Sequence, residues 1–259
     1  MSKVISDLFN LSGKVALITG GGRGLGKAMA RGFAEAGADI FIASRTSSEL
    51  EIAAEEIASG LDVRVNWMSV DMTDRGQVEH LARESVAQLG KVDILVNNAG
   101  SNIPAAIDQI VDEEWDQMVE LNLSGCMRLM RALIPAMKER NWGRVINISS
   151  ILGLAGKETR DVYCATKAAL IGLTEAAALD VGPSNVTVNA IAPGPFLTEL
   201  PGNLLTDEQK KFFAKRTALG RWGHPEELVG PALMMASEAG SFVTGTCVTV
   251  DGGVLARCI

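Results

Sequence analysis

The sequence has no run of eighteen apolar residues and no apolar stretch near its N-terminus. The first absence argues against a bilayer-crossing helix and the second against a secretory signal, so the expectation is a cytoplasmic protein without membrane contact. Only four cysteines occur, at 126, 164, 247 and 258, with no C-x-x-C and no metal-like cluster. Spaced so widely, they predict free thiols in a reducing compartment and no metal site. There is no basic tail, and the net charge is −7 with both signs interspersed. That balance leaves no electrostatic footprint for nucleic acid. Internal repeats and low-complexity segments are missing as well, which sets aside solenoids and disordered arrays. Even the usual dinucleotide fingerprint, G-x-G-x-x-G, is not matched strictly.

What is present is a chain of 259 residues, 47% hydrophobic, enough to bury a sizeable core. Apolar runs of strand length alternate with helical patterns throughout. Strands are expected at 15–19, 40–43, 63–70, 92–96, 144–148, 186–192 and 247–250. Helices are expected at 27–36, 47–59, 75–89, 113–138, 161–181 and 225–237, and residues 1–13 read as a lead-in arm. Such alternation predicts one α/β fold, a doubly wound parallel sheet of about seven strands with right-handed crossovers and helices on both faces. In that fold the turns after the strands meet along one edge, where ligands bind. The segment 196–221 has no strand pattern and follows a strand's C-terminal end, the place for a lid.

The turn after the first strand is Gly20-Gly21-Gly22-Arg23-Gly24-Leu25-Gly26. Strand, glycine-rich turn and helix together make a phosphate cradle: the backbone can approach a pyrophosphate, and the helix start offers free N–H groups. The second strand ends at Ser44-Arg45, nineteen residues past Gly26. An acidic residue there would grip a ribose 2′-hydroxyl. A small hydroxyl followed by a guanidinium suits a 2′-phosphate instead, which favours NADP(H) while leaving NAD(H) possible. The Asn pair in Asn97-Asn98-Ala99-Gly100 serves equally well as a bridge between strands or as a ligand contact. Asn122, inside a long helical pattern, is a poor mid-helix residue and predicts a local distortion.

Tyr163 and Lys167 are four residues apart on an expected helix, so both lie on one face. An ammonium beside a phenol favours the phenolate, and a phenol so tuned can pass a proton to or from an oxygen. Ser150 follows a strand and can hydrogen-bond the same oxygen. Alone, a Tyr and a Lys at helical spacing mark only a solvated face; the glycine loop and its sheet give the pair a purpose. Cys164, between them, reads as packing.

Taken together, T-G-G-G-R-G-L-G (19–26), N-N-A-G (97–100), Asn122, Ser150, Y-x-x-x-K (163–167) and P-G (193–194) make the chain resemble a short-chain dehydrogenase/reductase over essentially its whole length. The resemblance implies a single Rossmann-type domain over 1–259, assembled as a homotetramer or homodimer. It further implies an oxidoreductase that interconverts a secondary alcohol and a ketone on a small-molecule substrate. Tyr163 would be the general acid/base and Ser150 the donor to the substrate oxygen. Lys167 would hold the nicotinamide ribose, and Asn122 would anchor a water in the proton relay. The cofactor would run along Gly20, Gly22, Arg23, Gly24, Leu25 and Gly26, past Ser44 and Arg45. It would meet Asp71 and Met72, then Asn98, Ala99 and Gly100, with Pro193, Gly194, Phe196 and Thr198 at the nicotinamide.

Two branches of the family are similar to this chain. D-L-F-N-L-S-G-K (7–14) and K-R-T-A-L-G-R-W-G-H-P-E-E-L (215–228) resemble gluconate 5-dehydrogenases and related polyol or sugar-acid enzymes. Relatives in that branch often carry basic residues soon after N-N-A-G, where this chain has uncharged Ser101-Asn102-Ile103-Pro104-Ala105. Reductases of 3-oxoacyl chains on an acidic carrier protein are the alternative. They dock the carrier through two basic residues, and the matching positions here are Asn141 and Ser184, with Arg140 and Arg144 nearby. A further reading, a catalytically silent dinucleotide sensor, is disfavoured because Tyr163 and Lys167 are both present.

Overall fold

The computed structural model describes residues 4–198 and 206–256. A short helix α1 (Ile5–Phe9) leads into β1 (Val15–Thr19), α2 (Gly24–Glu35), β2 (Asp39–Ser44), α3 (Ser47–Ala58) and β3 (Val65–Ser69). Then come α4 (Arg75–Leu89), β4 (Ile94–Asn97), α5 (Asp112–Val119), α6 (Gly125–Glu139) and β5 (Gly143–Ile148). The chain continues through α7 (Asp161–Val181), β6 (Val186–Pro193), α8 (Asp207–Arg216), α9 (Val229–Ala236) and β7 (Cys247–Val250). The seven strands form one sheet in the order β3-β2-β1-β4-β5-β6-β7, and every pairing is parallel. Strand order reverses between β1 and β4, so a crevice opens at their C-terminal ends.

Both faces of the sheet are covered, and alternate residues of each strand serve opposite faces. Ala16, Ile18, Ile40 and Ile42 pack with Met29, Phe33, Leu50 and Leu228 on one side. Val15, Leu17 and Phe41 pack with Leu81, Leu129, Leu133 and Val181 on the other. Near-continuous Val/Ile/Leu runs thus become strands buried on both sides.

Several boundaries shift by one to four residues, and three departures from the sequence reading have identifiable reasons. β4 begins at Ile94, two residues late; just before it, the backbone of buried Asp93 still donates to Val15 O (2.9 Å) and accepts from Arg144 N (3.0 Å), while its carboxylate accepts the Val15 N–H (3.1 Å) and meets the Lys91 ammonium (2.9 Å). The expected helix over 113–138 is α5 and α6 joined by a wide π turn at Glu120–Ser124. The lid region holds α8, started by a reciprocal cap in which Thr206 Oγ1 accepts from Gln209 N (3.2 Å) and Gln209 Oε1 from Thr206 N (3.0 Å). Residues 199–205 of that region, and Cys258, lie outside the described residues.

Residues Asp161–Ser184 are long and apolar enough to cross a membrane by length and composition. Here that apolarity has another use. The helix packs along β6, burying Val162, Leu170, Ala178 and Val181. Its outer face leaves Leu179 82% exposed.

Candidate active site and cofactor cleft

The floor of the cleft is backbone held by a few buried polar groups. Gly20 has φ +66°, and a Cβ there would come 2.7 Å from Asn98 Nδ2. Only glycine lets the chain turn that tightly against the neighbouring loop. Asn98 Nδ2 donates to the carbonyls of Thr19 (2.9 Å) and Gly20 (3.2 Å). The Thr19 hydroxyl oxygen in turn accepts from the N–H groups of Asn98 and Ala99, each at 3.0 Å. Asn98, a candidate cofactor contact from the sequence, therefore braces the underside of the glycine loop. Asn97 and Asn147 bridge β4 and β5, with Asn97 Nδ2 donating to Asn147 Oδ1 at 2.8 Å. Thr19, the first residue of the glycine motif, thus has a task the sequence reading did not give it: it ties the turn after β4 to the end of β1.

Above this floor, α2 begins at Gly24, and its first amides have no intrahelical acceptors. Arg23 sits at the cap of α2, and its Nη1 meets Glu49 Oε1 at 3.4 Å. Leu25 packs on the core and anchors the helix start. Ser44 ends β2, and its buried hydroxyl has no hydrogen-bond partner among the described residues. It lies 3.3 Å from where a Gly22 side chain would begin. Next to it, the exposed Arg45 side chain makes no ion pair or hydrogen bond among the described residues. Asp71 Oδ1 accepts from Thr73 N (2.9 Å) and Thr73 Oγ1 (2.8 Å), which fixes the turn after β3 with Met72 buried behind it.

Pro193 ends β6, and Gly194 N donates to Val250 O (2.9 Å), tying the turn to β7. Phe196 is buried and bridges to Gly223. Thr198 Cγ2 lies 3.3 Å from the position of a Gly24 Cβ, so this turn closes over the glycine loop. An unpartnered hydroxyl, a free guanidinium, open helix amides and a glycine-only floor fit a nucleotide with an anionic ribose end.

The reacting side is organised by Lys167. Its ammonium is buried, donates to Ile148 O at 2.8 Å, and lies 5.6 Å from the centre of the Tyr163 ring. The tie fastens α7 to the end of β5, and Ser149 adds a second, its hydroxyl donating to Lys167 O at 2.8 Å. Ser150 caps the short 3-10 turn Ile151–Gly153; its Oγ accepts from Leu152 N at 3.1 Å, which leaves its hydroxyl hydrogen for another acceptor.

Asn122 lies in the π turn and is fully buried. Its Oδ1 accepts from Ser101 N (2.9 Å), and its Nδ2 donates to Ser101 O (2.9 Å) and Thr166 Oγ1 (3.2 Å). These ties to the backbone after β4 and to α7 explain why the helix departs from its regular ladder here. At Gly100 a Cβ would stand 3.1 Å from Asn122 Oδ1 and 3.3 Å from Lys167 Nζ, so Gly100, Asn122 and Lys167 share one small space. One turn on, burial pushes the Cys126 thiol up to about 11, against a smaller opposing pull from Lys167. A protonated, enclosed thiol is packing rather than a nucleophile.

The fold thus brings Tyr163, Lys167, Asn122 and Gly100 close together, with Ser150 two residues past the carbonyl that holds Lys167. Residues 14–209 match the short chain dehydrogenase family. The chain is 36% identical over 250 residues to the gluconate 5-dehydrogenase of Gluconobacter oxydans, covering 96% of this chain and 97% of that one. It is 35% identical over 245 residues to the 3-oxoacyl-(acyl-carrier-protein) reductase of Thermotoga maritima, covering 95% and 99%. The crystal structure of a gluconate 5-dehydrogenase from Burkholderia cenocepacia in complex with NADP and tartrate superimposes with a TM-score of 0.92 at 36% identity, covering 98% of this chain and all (100%) of that one. Sequence, sheet order and the polar cluster over the β1–β4 crevice agree, and the chain belongs to the short-chain dehydrogenase family, oxidoreductases acting on CH–OH donors.

Proposed function

We propose that this dehydrogenase interconverts a secondary alcohol and a ketone on a sugar acid or polyol, with NADP(H) preferred over NAD(H). The observation that carries the chemical part is the meeting of Lys167, Tyr163 and Asn122 at the mouth of the β5 end. Tyr163 takes the hydroxyl proton when the alcohol is oxidised and returns it when the ketone is reduced. Ser150 donates its free hydroxyl hydrogen to the same oxygen. Lys167, held on the Ile148 carbonyl, keeps a positive charge beside the phenol and stands where a ribose would be gripped. Asn122, immobilised by Ser101 and Thr166, fixes the inner end of the proton path. When bound, the nicotinamide supplies or accepts the hydride. For the 2′-phosphate, the supporting observations are the orphaned Ser44 hydroxyl and the open Arg45 guanidinium.

The sugar-acid part draws on the gluconate 5-dehydrogenase relatives and on the surroundings of Asn141 and Ser184. A carrier-protein reductase would need free cations there, and the neighbouring arginines are engaged. Arg144 is wholly buried, its guanidinium 4.4 Å from the Trp142 ring. Arg140 donates to Val92 O (2.7 Å) and faces Asp93 at 3.6 Å. The test is the initial rate of NADPH consumption with 5-keto-D-gluconate beside an acetoacetyl thioester at equal concentration. Faster use of the keto acid is expected; faster use of the thioester would transfer the assignment to acyl-chain reduction. A homotetramer is part of the same reading, supported by the outward Leu179 on α7. Sedimentation at the monomer mass would remove it.

A further inference from the structure

The segment after N-N-A-G that would carry a substrate-binding cation is uncharged over 101–105. Two other segments bring cations together. Lys157 lies on the stretch between Ser150 and Tyr163, and its ammonium sits 4.8 Å from the centre of the Phe213 ring on α8. Arg216, at the end of α8, stacks its guanidinium on Phe212, 5.7 Å from the ring centre. The two phenyl rings meet edge to face at 5.8 Å, and Phe213 rests on Trp222 at 5.6 Å. Trp222 Nε1 donates to Lys210 O (2.9 Å), which locks this aromatic layer to the helix. Arg160 lies on the same loop as Lys157: its N–H donates to Lys157 O at 3.2 Å, closing a turn that holds the two cations together. That turn is docked on the uncharged segment, because Ala105 N donates to Thr159 O at 3.2 Å and Ala105 pairs with Arg160 as an isolated parallel bridge.

We propose that Lys157, Arg160 and Arg216 form a carboxylate-binding subsite at the rim of the substrate cleft, taking the acid group of a sugar-acid substrate. The inference rests on the sugar-acid reading above and assigns the task to the α8 lid and the Ser150–Tyr163 loop rather than to 101–105. Three like charges meet here in a protein whose net charge is −7, and Glu158 is the carboxylate facing Lys157. Partial burial, and then the neighbouring Arg160, hold the Lys157 ammonium below its ordinary range; Glu158 pulls the other way and Arg216 adds to the lowering. An anion placed among the three cations relieves that repulsion. A positive rim on an acidic surface also concentrates small anions at the cleft. Because Lys157 and Arg216 stand on opposite segments, a carboxylate between them draws the lid onto the substrate.

The test uses the full chain with NADPH and two ketones of one carbon skeleton: 5-keto-D-gluconate, and L-sorbose, which carries a hydroxymethyl group in place of the carboxylate. Lys157→Gln and Arg216→Gln are each expected to raise KM for the keto acid by about tenfold, with kcat nearly constant. L-Sorbose kinetics and the melting temperature should stay as in the unaltered protein, and Lys157→Arg should restore most of the keto-acid KM. Equal changes for both ketones would mean that the cations only hold the lid, and the subsite is wrong. So would unchanged keto-acid kinetics in an enzyme that prefers the keto acid. An unaltered enzyme that shows no preference for the acid over L-sorbose, or uses neither, overturns the sugar-acid reading itself and the subsite with it.

Discussion

The two halves of the cleft are built from different materials. On the cofactor side, the floor is backbone: glycines packed against half-buried Asn98 and buried Thr19, with no freedom for a side chain at Gly20. On the substrate side, the rim is side chains on exposed segments, the 151–160 loop and α8, held by ring stacking and a single bridge to Ala105. A floor made of main chain tolerates little change and reads a feature common to all dinucleotides. A rim made of side chains can be rewritten without disturbing the sheet. The difference accounts for how one scaffold serves relatives named for sugar acids and for acyl chains.

That contrast can be broken at its seam or sharpened at either side. The largest effect is expected at the seam. Tyr163→Phe removes the proposed acid/base and should cut kcat by about 10²- to 10⁴-fold, while NADPH titration by fluorescence stays as before. Turnover retained within tenfold would end the assignment. Next, Arg45→Ala should weaken NADPH binding about ten- to a hundredfold and NADH binding far less, as one charge-assisted contact to the 2′-phosphate is lost. Equal loss for both cofactors would place the 2′-phosphate elsewhere. The smallest effect tests the acidic group paired with Arg23. Glu49 occupies Arg23 through a pair whose side chains are 46% and 39% exposed, so the pair itself is weak. Glu49→Gln frees the guanidinium and removes a like charge, and should tighten NADPH about two- to fivefold with NADH unaffected. Calorimetric titration showing no gain would mean that Arg23 points away from the phosphate.

The same division governs what could be read from the sequence. The inner strands, buried on both faces, announce themselves as Val-Ala-Leu-Ile or Val-Asp-Ile-Leu-Val; the edge strands β3 and β7 are half-exposed, and all seven fell within about two residues of the reading. At one boundary a buried carboxylate, Asp93, takes the Val15 amide, a contact that no local pattern announces. The distortion at Asn122 was visible from its poor fit to a helix interior, but its form as a π turn depends on Ser101 and Thr166, contacts made only in the folded chain. Helix α8 escaped notice because D-E-Q-K-K-F-F-A-K-R is largely solvent-facing and gives little apolar rhythm. Lys157 and Arg216 could not be paired from sequence at all, since nothing local joins a loop to a helix so far along the chain. Glu49, which meets Arg23 only in the folded chain, was missed for the same reason.

The π turn at Glu120–Ser124 has a consequence for how this chain can vary. A π turn holds one residue more than an α-helix of the same rise, so it works as a splice. Shortening the stretch by one residue would restore an unbroken helix and leave Pro135 and the apolar face of α6 in register with the sheet. It would also swing Asn122 by about 100° around the helix axis, away from Ser101. The folded body would survive while the cleft lost its inner anchor. Under the function proposed above, length in this helix decides whether Asn122 stands in the cleft at all.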